Sequence, residues 1–201
     1  MSVRVLNPPR KAWSRVETWV GALNAAGSFQ TRGLSACKDS ALWLAAPHPV
    51  FGLSPASFAA GLGMEGAALL SWRFVLGLGT QQTALVSVAA NAPGSVLRDI
   101  SLSEGALVVA HVNAFEELHT RFANSSNDYA LGCISVSWLG VKAVWLRNLV
   151  GTPSEDIFLV LAGPEDGLGS LNHLLDAARF MAYLKFAHEA MPCEVIKSST
   201  E

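Results

Sequence analysis

The sequence is poor in charged residues. Only 15% of its 201 residues are Asp, Glu, Lys or Arg, against about 25% in an average globular protein. The 14 basic and 16 acidic side chains leave a formal net charge of −2. Nucleic-acid-binding domains carry dense basic patches, so this balance argues against a nucleic-acid partner. Because 51% of the residues are hydrophobic, the chain also lacks the polar bias of a disordered protein.

Cysteine is scarce as well. The three cysteines, Cys37, Cys133 and Cys193, are an odd number, and no Cys-x-x-Cys pair occurs. This argues against a disulfide framework and against a cysteine-rich zinc site. A reducing, cytoplasmic location is therefore expected. Cys133 lies in an apolar stretch, so we expect a buried and inert thiol there.

Long uninterrupted apolar runs are missing too. Residues 40–64 are uncharged but contain three prolines, and residues 74–97 contain several polar side chains and three glycines. A membrane-spanning helix needs about 20 mostly apolar residues, so we expect no membrane span. Near the N-terminus, Pro8 and Pro9 occupy the positions where a signal peptide would have its apolar run, so we expect no signal peptide.

Familiar catalytic and cofactor motifs are absent or misplaced. Residues 61–66 match G-x-G-x-x-G, but they follow a predicted helix instead of a strand. Residues 163–170 lie between a predicted strand and a predicted helix, yet lack the Gly-Lys-Ser/Thr of a phosphate loop. No G-x-S-x-G elbow occurs. We therefore assign no catalytic, cofactor-binding or metal-binding residue, and we expect no cofactor.

The order of predicted elements indicates an α+β fold in a single globular domain, residues 1–201. We expect a mainly antiparallel sheet of five to seven strands, because neighbouring strands read as hairpins. Against it pack an N-terminal helix, a middle helix and a long apolar C-terminal helix. The clearest strands are predicted at residues 70–76, 83–90, 134–138, 141–149 and 156–162.

Two helix boundaries are predicted from capping signals. Asn113 followed by Glu116 resembles a capping box, so the middle helix is expected to begin there, after a short strand at residues 107–110. Ser170 is expected to cap the last helix, which then runs to about Ala190. Its apolar residues cover more than one face, which suggests contact with a second protein or a curved sheet.

Apolar and aromatic side chains supply the candidates for an interaction surface. Six tryptophans stand against two tyrosines, and tryptophan is common both in cores and at binding hot spots. Trp19 lies at the edge of the N-terminal helix stripe. The interaction candidates are Trp13, Trp19, Phe180, Tyr183, Leu184 and Phe186.

Polar candidates form two groups. His111, Glu116 and His119 are the densest titratable cluster, with a solvent-facing helix as the simpler interpretation. Glu165 and Asp166 lie in the predicted loop before the last helix. His48, between two prolines, is expected to be an ordinary histidine with its hydrogen bonds satisfied.

The leading functional hypothesis is a non-catalytic protein-binding module, such as an adaptor, a partner-specific chaperone or an inhibitor. Its partner would be another protein or a second copy forming a homodimer. One alternative is a protein that binds a small apolar molecule between a curved sheet and the C-terminal helix. That pocket would be lined by Trp72, Phe74, Trp138 and Phe180. The other alternative is an enzyme with an unrecognised acid/base site.

Overall fold

One mainly antiparallel sheet organises the fold. The computed structural model describes residues 3–27, 42–79, 81–90, 100–165 and 172–191. Within them the sheet has nine strands: β1 (Val3–Val5), β2 (Leu42–Gly52), β3 (Ala68–Leu78), β4 (Gln81–Ala89), β5 (Ile100–Ser103), β6 (Tyr129–Val136), β7 (Val141–Asn148), β8 (Ile157–Ala162) and β9 (Leu174–Asp176). The helices are α1 (Arg10–Ala25), α2 (Pro55–Ala59), α3 (Ala106–Phe122) and α4 (Ala177–Glu189).

The strand order is β5-β4-β3-β2-β6-β7-β8-β9, with β1 also paired to β6. The pairings of β6 with β1 and with β2 are parallel, and the other pairings are antiparallel. Strands β1 and β2 pair with successive parts of the same side of β6. β1 pairs with Tyr129–Leu131 and β2 with Cys133–Ser135.

Helices cover both faces of the sheet. On one face, α1 packs on β3 and β4 through Val16 and Val20, and α4 packs on β7 and β8 through Phe180 and Leu184. On the opposite face α3 lies across the middle strands, where Leu118 joins side chains of β1, β2, β6, β7 and β8. The alternation of side chains along each strand separates these two cores. None of the helices in the described segments has the length and apolarity that crossing a bilayer requires.

The α+β class is confirmed, but the sheet is larger than the five to seven strands predicted. The difference comes mainly from β1, β5 and β9, which have only three or four residues each. An alternating pattern needs four to eight residues to be recognised. Such short strands are therefore defined by their pairing partners and not by their own sequence.

The predicted start of the middle helix was wrong. Residues 107–110 are helical, and α3 begins at Ala106 after Gly105, whose φ of 96° suits glycine. The β-branched Val108 and Val109 favour a strand locally. However, Val108 is buried against Val75 and Leu85 from neighbouring strands, and this tertiary packing overrides the local preference.

The last helix is also shorter than predicted. Residues 174–176 form β9, which pairs with β8, and α4 starts only at Ala177. Asp176 caps it by accepting a hydrogen bond from the backbone N–H of Arg179 at 2.8 Å. The predicted cap Ser170 lies outside the described residues.

Candidate functional site

Two neighbouring features lie beneath α3, on the face of the sheet that this helix covers. The first is a buried cluster of His48, His111 and Cys133, which we call the histidine–cysteine cluster. The second is a cavity of about 500 Å³ that opens to solvent between α3 and strands β1, β2, β3 and β6, which we call the groove.

A β-bulge places His48 in the cluster. Ala45 pairs with Val75 and His48 pairs with Arg73, so β2 has one more residue than β3 between these pairs. Ala46 takes up the extra residue in a left-handed conformation with φ of 45°. A bulge shifts the alternation of side chains by one, and His48 therefore faces α3. Without the bulge it would face α1.

The other two members come from α3 and β6. His111 projects from the middle of α3 towards the sheet and is 2% exposed. Cys133 lies on β6, paired with Val50 of β2, and is 2% exposed, while His48 is fully buried. Three residues that are 63 and 22 positions apart in the chain thus meet in the core.

The polar atoms of the cluster converge. Nε2 of His111 lies 3.0 Å from Nε2 of His48 and 3.6 Å from Sγ of Cys133. Nδ1 of His48 lies 2.7 Å from the carbonyl oxygen of Ala46. Since a carbonyl only accepts, this Nδ1 carries the proton. In a neutral imidazole the Nε2 of His48 therefore presents a lone pair towards His111.

Burial controls the protonation of all three groups. Loss of solvation lowers the pKa of His48 to about 3. It also lowers the pKa of His111 well below its usual value, and the nearby His48 and Arg73 lower it further. Burial raises the pKa of the Cys133 thiol to about 12. The two imidazoles are therefore neutral at pH 7, and the isolated thiol keeps its proton.

Phe115 closes the cluster on the side of the groove. Its ring centroid lies 4.7 Å from that of His48 and 4.5 Å from that of His111. On another side, a small cavity of about 10 Å³ touches His111 and Cys133 and is bordered by Arg73, Ser135 and Lys142, among others. This volume is close to the minimum that holds one water molecule.

The groove is mostly apolar. Nine of its twelve lining residues are apolar. Strand alternation turns Val3 and Val5 towards it, while Arg4 between them forms an ion pair with Asp128. The lining residues are Val3, Val5, Trp43, Ala45, Ala46, Val75, Val112, Phe115, Glu116, His119, Thr120 and Leu131.

The predicted polar cluster is divided by α3. His111 points into the core, whereas Glu116 and His119 are exposed and line the groove, one turn apart. Glu165 is exposed after β8, and Asp166 lies outside the described residues. Of the four candidates that the structure describes, only Glu116 and His119 come together at one surface.

Most of the interaction candidates on α4 belong to the protein's own core. Phe180 and Leu184 are fully buried, Tyr183 is 3% exposed, and only Phe186 reaches the surface, at 36%. Phe180 stacks on Phe158 with ring centroids 4.1 Å apart. The apolar width of this helix is thus explained by the sheet beneath it.

The two tryptophan candidates for an interaction surface lie on α1. The four residues predicted to line a common pocket belong to two separate core clusters. Trp13 and Trp19 are half-buried, and Trp13 packs edge-on against Phe74 at 5.3 Å between ring centroids. Trp72 and Phe74 belong to the core under α1. Trp138 and Phe180 belong to the core under α4, so these four side chains do not line a common pocket.

Sequence reasoning missed His48 and Cys133. His48 was predicted to be an ordinary histidine with its hydrogen bonds satisfied, and Cys133 an inert buried thiol, because neither has a metal-ligand partner at a recognisable spacing. The available signal was the Pro-His-Pro segment inside an otherwise apolar strand, which marks an irregular strand. From the sequence alone this segment does not specify a bulge, and it does not identify His111 and Cys133 as the neighbours of His48.

The chain matches no protein-family model, no curated protein and no solved structure in the comparisons made.

Proposed function

We propose that this protein binds a small, mostly apolar molecule in the groove, with an uncharged or cationic polar end placed at Glu116 and His119. The observation that supports this most is the groove itself. Its volume of about 500 Å³ falls within the range of about 300–1,000 Å³ typical of small-molecule sites. Apolar walls with a few convergent polar groups are also typical of such sites.

The charge of the lining supports an uncharged or cationic polar end. Glu116 is the only acid among the lining residues, and no lysine or arginine is among them. Arg4, the basic residue of β1, is paired with Asp128. An anionic head group would find no lysine or arginine in the groove and would be repelled by Glu116. An amine or hydroxyl could donate a hydrogen bond to the Glu116 carboxylate.

A small molecule fits the described surface better than a protein partner does. Phe180, Tyr183 and Leu184, which suggested an apolar docking face, are buried by the protein's own sheet. The groove, by contrast, is concave, and the half-buried Trp43 and Phe115 form part of its walls. Concave sites bury most of a small ligand.

The test is binding of three molecules with the same chain, decanol, decylamine and decanoate, below their micelle-forming concentrations. Displacement of the neutral dye Nile red and calorimetry report the affinities. We expect saturable binding of decanol and decylamine, with decanoate at least tenfold weaker. Glu116→Gln should weaken the binding of decylamine more than that of decanol, because only the amine pairs its charge with the carboxylate. Absence of saturable binding of all three, or preference for decanoate, would contradict the proposal.

Matched variants on α3 locate the site. Val112→Trp fills the groove and should abolish dye binding, whereas Val109→Trp, on an exposed part of the same helix, should leave it unchanged. Thr120→Trp, at the exposed rim, is a second blocking variant that does not disturb the core. Circular dichroism checks that each variant is folded. Equal binding by the two blocking variants and Val109→Trp would place the ligand elsewhere.

A further inference from the structure

We infer that His48, His111 and Cys133 form a binding site for a zinc ion, with a water molecule as the fourth ligand. The inference is independent of ligand binding in the groove. Imidazole nitrogen and thiolate sulfur are the usual zinc ligands, and three protein ligands plus water is a common arrangement. The possible ligand atoms of these three described residues all lie within 4.8 Å of one another.

Two of the three ligand separations are close to those of a four-coordinate ion. Zn–N bonds of about 2.0–2.1 Å and a Zn–S bond of about 2.3 Å, at tetrahedral angles, place two nitrogens ~3.4 Å apart and nitrogen and sulfur ~3.6 Å apart. The observed separations are 3.0 Å between the two Nε2 atoms and 3.6 Å between Nε2 of His111 and Sγ of Cys133. The third pair, Nε2 of His48 and Sγ of Cys133, lies within 4.8 Å, and side-chain rotation would have to bring these two atoms to ~3.6 Å.

The surroundings of His48 suit a metal ligand. Its Nδ1 proton is held by the Ala46 carbonyl at 2.7 Å, which fixes the tautomer and directs the Nε2 lone pair into the cluster. Histidine ligands of metals are commonly oriented in this way by a carbonyl or carboxylate. The bulge that exposes this carbonyl also turns His48 towards the cluster.

The fourth position and the local charge can be assigned from the same structure. The cavity of about 10 Å³ beside His111 and Cys133 has room for one water molecule. Arg73 and Lys142 border this cavity and oppose a bound cation. The Cys133 thiolate offsets part of that repulsion, since a metal-bound thiol is deprotonated. Without a metal, the Nε2–H group of His111 donates to Nε2 of His48, so the apo-protein can still fold. Metal binding uses Nε2 of His111 as a ligand, so the proton of His111 moves to Nδ1 and the thiol proton of Cys133 leaves to solvent.

The test is titration of chelator-treated protein with Co²⁺, a spectroscopic substitute for zinc. We expect one equivalent to bind, with a thiolate-to-cobalt charge-transfer band and the intense visible bands of four-coordinate cobalt. Zn²⁺ should displace the cobalt and abolish both signals. Octahedral cobalt without a thiolate band, or no binding of either ion, would overturn the inference.

Variants separate the cluster from other histidines. Cys133→Ser should remove the charge-transfer band, and His48→Gln should weaken cobalt binding at least tenfold, in line with loss of a ligand. His173→Gln, at an exposed histidine outside both the cluster and the groove, should change neither. A thiolate band that persists in Cys133→Ser would overturn the inference. Because the wild-type spectrum is itself decisive, the test stands even where a variant fails to fold.

Discussion

Replacement of Gly77 by alanine should displace Trp43, which forms part of the groove wall, and should destabilise the protein. Gly77 on β3 pairs directly with Trp43 on β2, and the indole lies over the space that a side chain would occupy. A Cβ atom at Gly77 would lie 2.0 Å from Cζ2 and 2.2 Å from Cε2 of Trp43. Ordinary contacts need about 3.4–4 Å, so the rigid ring would have to move by more than ~1 Å.

The expected cost follows from what that movement disturbs. Forcing extra volume into a packed site costs typically about 1–3 kcal/mol. The indole N–H of Trp43 also donates to the carbonyl of Gly79 at 2.8 Å, a bond worth about 0.5–1.5 kcal/mol. Alanine regains about 0.5–1 kcal/mol of the conformational entropy that glycine loses in a strand. We therefore expect Gly77→Ala to lower the free energy of unfolding by about 1–3 kcal/mol.

Urea unfolding followed by far-ultraviolet circular dichroism measures this change, with Gly132→Ala as the matched control. Gly132 also lies in a central strand, but its added Cβ would meet atoms of Pro49 and Phe51 at 3.4–3.6 Å, which is ordinary contact. The control should therefore stay within about 1 kcal/mol of the wild type. Because Trp43 lines the groove, Gly77→Ala should also weaken Nile red binding. If Gly77→Ala were as stable as Gly132→Ala, the packing of the Trp43 indole against β3 would be refuted.

Three further predictions concern the core. Phe180→Ala should lower the free energy of unfolding by about 3–5 kcal/mol and Phe186→Ala by less than about 1 kcal/mol, since only the former is fully buried; equal losses in urea unfolding would count against the placement of α4. Asp156→Asn should cost about 1–3 kcal/mol, because the buried carboxylate accepts two N–H donors and an amide can accept only through its oxygen; an unchanged unfolding midpoint would contradict this. In metal-free protein, folding lowers the pKa of His48 from its ordinary value of 6.5 to about 3, so the unfolded chain binds the proton first as the pH falls. The free energy of unfolding should fall as the pH drops below 6.5, by about 2 kcal/mol between pH 8 and pH 5. Over this range the size of the effect depends on the pKa of the unfolded chain and hardly on that of the folded protein. His111 shifts in the same direction and adds to it, so His48→Gln should make the profile shallower without flattening it. A wild-type profile already flat over this range would show that the pair is not buried in neutral form.

The long elements of the fold were predictable because their own residues carry the pattern. Trp72, Phe74 and Leu76 alternate along β3 with Ser71, Arg73 and Val75, and they mark the face of the strand that packs under α1. The hairpin of β6 and β7 was marked in the same way, and Gly140 takes the left-handed conformation that its tight turn needs. The short edge strands and the start of α3 were not predictable, since pairing partners and the contacts of Val108 define them.

The histidine–cysteine cluster was beyond the reach of sequence spacing. Metal-site motifs place ligands a few residues apart, on one turn of a helix or in one loop. Here each ligand comes from a different element, and a bulge at Ala46 determines which way His48 points. The dense group of His111, Glu116 and His119 attracted attention instead. The helix then separates its members, with one facing the core and two facing the groove.

The groove and the cluster share part of their walls, and this decides which variants are informative. Phe115 lines the groove and packs on both imidazoles. Ala46 lines the groove, and its carbonyl holds the Nδ1 proton of His48. A Phe115→Ala variant would disturb both sites at once, whereas Val112→Trp reaches the groove and Cys133→Ser reaches the cluster.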